Sequence, residues 1–159
     1  MWSLKNPSYG DQIRVNRGLY YHHGIYESDD CVYQFASPEG SEISPETAIV
    51  CTTSLKKFLK DGLVEVREYT DEEKAKLRSK DEIIKYAKDH LGEGGYNLIS
   101  NNCEHFSNRC AFGESKSSQV DSIFEAIMGF MKWMSIKLYQ ELLRYISLRF
   151  FFVLNVRRS

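Results

Sequence analysis

Apolar and polar residues alternate along the first seventy positions, then give way to a helical period. In "DQIRVNRG", Ile13 and Val15 alternate with polar neighbours up to Gly18, which predicts a strand. "LYYHHGIYES" predicts a second strand and "CVYQFAS" a third, joined at residues 29–30 into a hairpin. "SPEGSEISPE" carries two prolines and predicts a loop. A β-branched strand, "TAIVCTT", comes next. "SLKKFLKDG" sets Leu55, Phe58 and Leu59 on one side of a short helix that Gly62 stops. "LVEVREY" alternates once more. Beyond it, Thr70 with Glu73 and Ser79 with Glu82 both have capping-box spacing. Ile83, Ile84, Ala87 and Leu91 give the second of these helices an apolar face, and Gly92 ends it. "EGGYNLIS" reads as a loop. "NNCEHFSNRCAFG" predicts a helix with Asn101 or Asn102 as N-cap and Gly113 as its stop. After the polar link "ESKSSQ", residues 120–156 read as one long, mostly apolar helical segment. Strands first and helices afterwards predict the α+β class, not a wound parallel sheet.

Charge divides the chain where the pattern does. Residues 1–119 hold 15 Lys and Arg against 19 Asp and Glu, whereas residues 120–159 hold 6 against 3. A mildly acidic body of residues 1–119 therefore precedes a basic, apolar tail. The net charge of −1 gives no reason to expect a nucleic-acid partner. At 159 residues and 42% hydrophobic, the chain has material for one packed domain plus an appendage, which excludes a disordered class. "MWSLKNPSYGDQIRV" lacks the apolar stretch of a secretory signal, so the expectation is a cytoplasmic protein. Cys31, Cys51, Cys103 and Cys110 are then expected as reduced thiols. None has zinc-knuckle spacing, and no metal or other cofactor is expected.

Cys103 follows two good N-cap residues, so it falls in the first helical turn. Amide N–H groups and the positive dipole end favour a thiolate there, and the thiolate is the nucleophile. A base is then needed, and His22 or His23 could supply it from the sheet. Strand alternation puts His22 on one face with Tyr20 and Gly24, and His23 on the other with Tyr21 and Ile25. Gly24 would admit a closely packed helix on the His22 face, which favours His22. Gln34, polar within "VYQF", could accept the imidazole N–H and fix its tautomer. Cys110 lies on the same helical face as Cys103 but deeper, and reads as core. His90 and His105 have no evident partner and read as surface or packing residues. A buried Cys as a small hydrophobe, and a His pair in a partly exposed hairpin, remain the plain alternatives.

"HHGIY" at 22–26 and "NNCEHF" at 101–106 resemble the H-box and NC motif of the lecithin:retinol acyltransferase (LRAT) family. "TSLKKFL", "GEGGYNLISNNCEHF" and "KSSQV" extend the resemblance over about residues 9–120. It implies a permuted papain-like fold, an antiparallel sheet packed against the helix that carries the nucleophile. It implies Cys103 as nucleophile, His22 as general base, and Gln34, twelve positions after the His, as the residue that orients it. Tyr20 matches a tyrosine often present in the motif. The resemblance also implies chemistry: an acyl group leaves a glycerophospholipid ester, is held as a thioester, and passes to water, an amine or an alcohol. The oxyanion would lie near the Cys103 backbone N–H. Animal members usually carry His at the third position. Gln34 cannot offset an imidazolium charge but can hold the ring, so reduced rather than abolished activity is expected.

In the tail, Lys132, Lys137, Glu141, Arg144 and Arg149 interrupt any charge-free stretch long enough to span a bilayer. Lys137, Glu141 and Arg144 cluster in a narrow sector, while Met131, Met134, Leu138, Leu142 and Tyr145 fall largely elsewhere. This pattern suits an interfacial helix on a phospholipid surface, with Trp133 and the basic residues at the headgroups. A helix folded on its own domain or on a second copy, giving a homo-oligomer, is the alternative. Three readings of the whole chain follow. It is a thiol acyltransferase or phospholipase A at a membrane surface. Or the same thiol site cleaves amides. Or the chain is a non-enzymatic module that binds membranes or partners.

Overall fold

The computed structural model describes residues 1–37, 46–97 and 101–156, with side chains as far as residue 145. Six strands build one antiparallel sheet: β1 (Trp2–Leu4), β2 (Asp11–Asn16), β3 (Tyr21–Ser28), β4 (Cys31–Ala36), β5 (Ile49–Thr53) and β6 (Val64–Arg67). They lie in the order β1-β6-β2-β3-β4-β5. The helices are α1 (Leu55–Leu59), α2 (Asp71–Lys74), α3 (Lys80–Asp89), α4 (Cys103–Phe112) and α5 (Ser118–Val156). The protein is thus α+β, with the cysteine helix on the sheet and a long helix at the end of the chain. Most of the predicted proline loop, residues 38–45, and residues 98–100 of "EGGYNLIS" lie outside the described residues.

Local chemistry sets the helix starts. Thr70 with Glu73 and Ser79 with Glu82 form the two capping boxes that their spacing predicts. Asn102, not Asn101, caps α4, and Gly113 closes it at φ 75°. Helix α3 ends at Asp89, so Leu91 lies beyond it and is half exposed rather than on its apolar face. Strand β1 has no counterpart in the sequence pattern. It is three residues long and pairs only with β6, through Trp2↔Arg67 to Leu4↔Glu65.

Helices cover both faces of the sheet. On one, Ile25, Tyr33 and Phe35 pack against Ile83 and Ile84 of α3 and Phe106 and Cys110 of α4. On the other, Phe58 of α1 packs on Ile13, Val15, Val32 and Val66. Burial on both sides explains why "HHGI" and "VYQF" run buried without alternation. The close approach at Gly24 belongs to α1, not to the cysteine helix: a Cβ there would stand 2.9 Å from Phe58 Cε2 and 2.9 Å from the Tyr33 carbonyl oxygen. Gly24→Val should therefore destabilise the fold by about 1–3 kcal/mol, the usual cost of overpacking. A lowered thermal midpoint would show it; an unchanged one would mean that α1 gives way freely.

The chain forms two compact units, Met1–Gln119 and Val120–Ser159. The second is the body of α5, on which Ile123, Phe124, Leu138 and Tyr139 are all more than half exposed. No helix among the described residues is long and apolar enough to cross a membrane.

Candidate active site

Cys103 opens α4, and the local sequence puts it there. The Asn102 side chain accepts from the amides of Glu104 (3.0 Å) and His105 (3.1 Å), which fixes the first turn one residue after the cap. His105 is buried and answers from within the helix, its Nδ1 accepting from the Asn102 amide at 3.3 Å. It is a capping residue, not a surface one. His90 donates from Nδ1 to the Tyr86 carbonyl (2.7 Å), stacks on the Tyr86 ring, and has Glu93 at 3.9 Å. An acid does stand beside it. Cys110 is fully buried among the α3 and α4 side chains, where burial pushes its thiol up.

His22 is fully buried, and its Nε2 lies 2.8 Å from Gln34 Oε1. Hairpin pairing makes this contact: Gly24 stands opposite Gln34, so His22 and Gln34 share a face two positions apart. A carbonyl oxygen only accepts, so Nε2 carries the proton and Nδ1 keeps the lone pair. The His22 ring packs 5.1 Å from the Phe58 ring, on the α1 side of the sheet. His23 points to the α4 side, edge-on to Trp2 at 5.3 Å.

Helix α4 therefore does not meet His22 across a sheet face. The meeting point is an opening at the start of β3. Pairing between β3 and β4 extends only as far as Gly24↔Gln34, while β4 runs on with β5 to Ala36↔Ile49. Residues 21–23 thus lack β4 alongside, and the start of α4 comes up to that opening. There Cys103 Sγ lies 3.9 Å from the carbonyl oxygen of Tyr21, one residue before His22. Tyr20 lies just ahead of β3, in the turn where its carbonyl accepts from the Arg17 amide at 2.9 Å.

Glu104 is the residue that the sequence reading missed. It is 5% exposed, yet it is a carboxylate beside the thiol position. Ser117 Oγ (2.6 Å), Ser118 Oγ (2.7 Å), and the Gln119 backbone amide (3.2 Å) and Nε2 (3.3 Å) all donate to it. Burial alone would raise its pKa. The neighbouring His23 and the hydroxyl donors outweigh burial and hold the carboxyl well below its usual range. His23 is 1% exposed, with neither ring nitrogen hydrogen-bonded. Burial drives its pKa far down, and the Glu104 carboxylate offsets that only in part. The available signal was an acidic residue in a helix start, followed at 117–119 by three side chains rich in donors.

Both groups bind fewer protons folded than unfolded, because the imidazole stays neutral and the carboxylate stays ionised. Stability should therefore fall on acidification, first below the ordinary imidazole value of 6.5 and then below the carboxyl value of 4.5. His23 alone would contribute a slope of about 1.4 kcal/mol per pH unit. Thermal unfolding followed from about pH 7.5 to 4.5 should show that slope. His23→Leu should flatten it between 6.5 and 4.5. A profile that stays as steep in the variant would remove His23 as its source.

A thiol in the first turn of a helix, set at the start of a strand whose histidine is held by an amide carbonyl, is the arrangement of a thiol enzyme working by covalent catalysis. The chain belongs to the lecithin retinol acyltransferase family, whose model matches residues 5–116. It is 33% identical over 128 residues to phospholipase A and acyltransferase 5 of Rattus norvegicus, covering 76% of this chain and 44% of that protein. It is 31% identical over 134 residues to phospholipase A and acyltransferase 3 of Mus musculus, covering 78% and 82%. With phospholipase A and acyltransferase 1 of Homo sapiens the identity is 30% over 131 residues, 77% of each chain. The chain thus spans less than half of the rat relative and most of the other two.

Proposed function

We propose that this chain is a thiol acyltransferase and phospholipase A acting on glycerophospholipids. The placing of Cys103 Sγ against the Tyr21 carbonyl, one residue before the Gln34-held His22, carries the reading. Kinship with relatives named phospholipase A and acyltransferase supports the substrate class. Cys103 would give its proton to His22 Nδ1 and attack the ester carbonyl. The tetrahedral oxyanion would form near the first amides of α4. His22 would return the proton to the leaving alkoxide, releasing a lysophospholipid and leaving an acyl thioester. Water, an amine or an alcohol would then lose a proton to His22, attack the thioester, and free the thiol as it regains the proton. Gln34 holds the ring; Tyr20, at the foot of β3, is a supporting residue.

The body of α5 would lie on the phospholipid surface. Its exposed apolar side chains and the excess of basic over acidic residues in 120–159 support peripheral attachment, with Trp133 and Lys137, 5.7 Å apart, at the headgroup level. Flotation with phosphatidylcholine vesicles should weaken in Trp133→Ser, and a concentration-dependent dimer with no vesicle binding would assign the helix to a second copy instead.

The test of the chemistry is intact mass after incubation with phosphatidylcholine vesicles. Wild type should gain the mass of one acyl chain and Cys103→Ala none. Absence of both adduct and lipid hydrolysis in a vesicle-bound wild type would reject the phospholipid reading, and turnover of amide substrates would then mark a peptidase.

A further inference from the structure

Glu104 has no evident part in the chemistry above, and its setting is costly. A buried ionised carboxylate is tolerated only when its oxygens are well bonded. Here two serine hydroxyls, one backbone amide and one side-chain amide are committed to a single carboxylate. One of these donors, Gln119, reaches a second target. Its Oε1 accepts from the Tyr21 amide at 2.8 Å and its Nε2 donates to the Tyr21 carbonyl at 3.3 Å. Both backbone polar groups of Tyr21 are thereby taken by one side chain. That is the pair of bonds a neighbouring strand would make, and β4 is not alongside β3 there.

We propose that Gln119 and Glu104 form a positioning clamp for the thiol chemistry, the Gln119 amide standing in for the missing strand beside Tyr21 and the Glu104 carboxylate locking that amide to the start of α4. The clamp joins the residue after Cys103 to the residue before His22. Thiol and imidazole come from segments eighty residues apart, and the clamp meets the weak Cys103 contact at the same Tyr21 carbonyl, where the first turn of α4 reaches the start of β3. Loosening the clamp would let the two segments part without unfolding either. Misplacement by about 1 Å is enough to cost about 10²-fold in rate. Neither residue touches substrate in this account. The inference rests on the Cys103–His22 reading, and its test separates the two.

The variant is Gln119→Met in the full chain, which keeps the volume and removes the amide. Two readouts are needed. On phosphatidylcholine vesicles, kcat should fall by about 10–100-fold with KM within about two-fold of wild type. In the absence of lipid, the pH profile for iodoacetamide alkylation at Cys103, mapped by mass, should move towards that of an ordinary thiol, with a midpoint of about 8.5. A purely structural role would lower the thermal midpoint and leave both readouts unchanged in the folded fraction; that outcome overturns the clamp. Should Gln119→Met not fold, Ser118→Ala removes one donor to Glu104 and must shift the same profile in the same direction, or the clamp is rejected. If wild type transfers no acyl group, the proposed function falls, while the alkylation profiles of wild type, His22→Ala and Gln119→Met still decide the clamp. An alkylation profile that responds to neither variant overturns it.

Discussion

His22→Ala is expected to lower acyl transfer by about 10²–10⁴-fold, the range that a positioned general base contributes. His23→Ala is expected to weaken the fold and leave the activity of the folded fraction within a few-fold of wild type. The comparison is stringent because the two residues are adjacent in β3 and equally buried, at 0% and 1% exposure. Both changes remove an imidazole from the interior, so loss of packing alone predicts equal outcomes. The chemistry does not. His22 has its Nε2 proton placed by Gln34 and its Nδ1 left with the lone pair. His23 faces Trp2 and the Glu104 side of the sheet with neither nitrogen bonded. Burst kinetics on a chromogenic ester, with the folded fraction measured in parallel, decide the matter. Equal loss in two folded variants would sink the assignment of His22 as base.

The strands were legible because the two-residue period survives in short windows, and the helix starts were legible because capping chemistry is local. Asn102, Thr70 and Ser79 act within three residues of themselves. The His22–Gln34 bond was within reach of the same reasoning, since a two-residue turn brings their strands together. The side of the sheet on which α4 docks was not legible. Strands β3 and β4 are buried on both faces, so alternation separates His22 from His23 without saying which helix each one meets. Alternation offers Gly24 as a seat for the cysteine helix, and Phe58 of α1 occupies it instead. Strand β1 was invisible for another reason: three residues carry no period, and its partner β6 lies more than sixty residues away. Glu104 was missed because an acid in a first helical turn is ordinarily a solvated complement to the dipole. Only the return of residues 117–119 to the same place buries it, and a polar link in sequence does not announce where it goes.

Gln34 offers the sharper test of how the His22 ring is held. Gln34→Leu roughly keeps the volume of the side chain and removes the acceptor, so the variant offers His22 Nε2 no amide carbonyl to receive its proton. Transfer should fall by about 10–100-fold, chiefly in kcat, because ring orientation rather than binding is lost. The amide orientation is itself supported from the other end: Gln34 Nε2 approaches Cys51 Sγ at 3.9 Å, and that thiol lies 3.6 Å from the Ala36 carbonyl. With Nε2 engaged there, Oε1 is the atom turned to the imidazole. A neutral acceptor fixes the tautomer but would not offset the imidazolium that the proposed proton transfer from Cys103 to His22 would form. Gln34→His exchanges one neutral acceptor for another and should keep kcat near wild type, whereas Gln34→Asn, too short to reach 2.8 Å, should behave like the Leu variant. If Gln34→Leu turns over at the wild-type rate, the ring is held by its packing on Phe58 alone, and Gln34 is a neighbour of the base rather than its orienter.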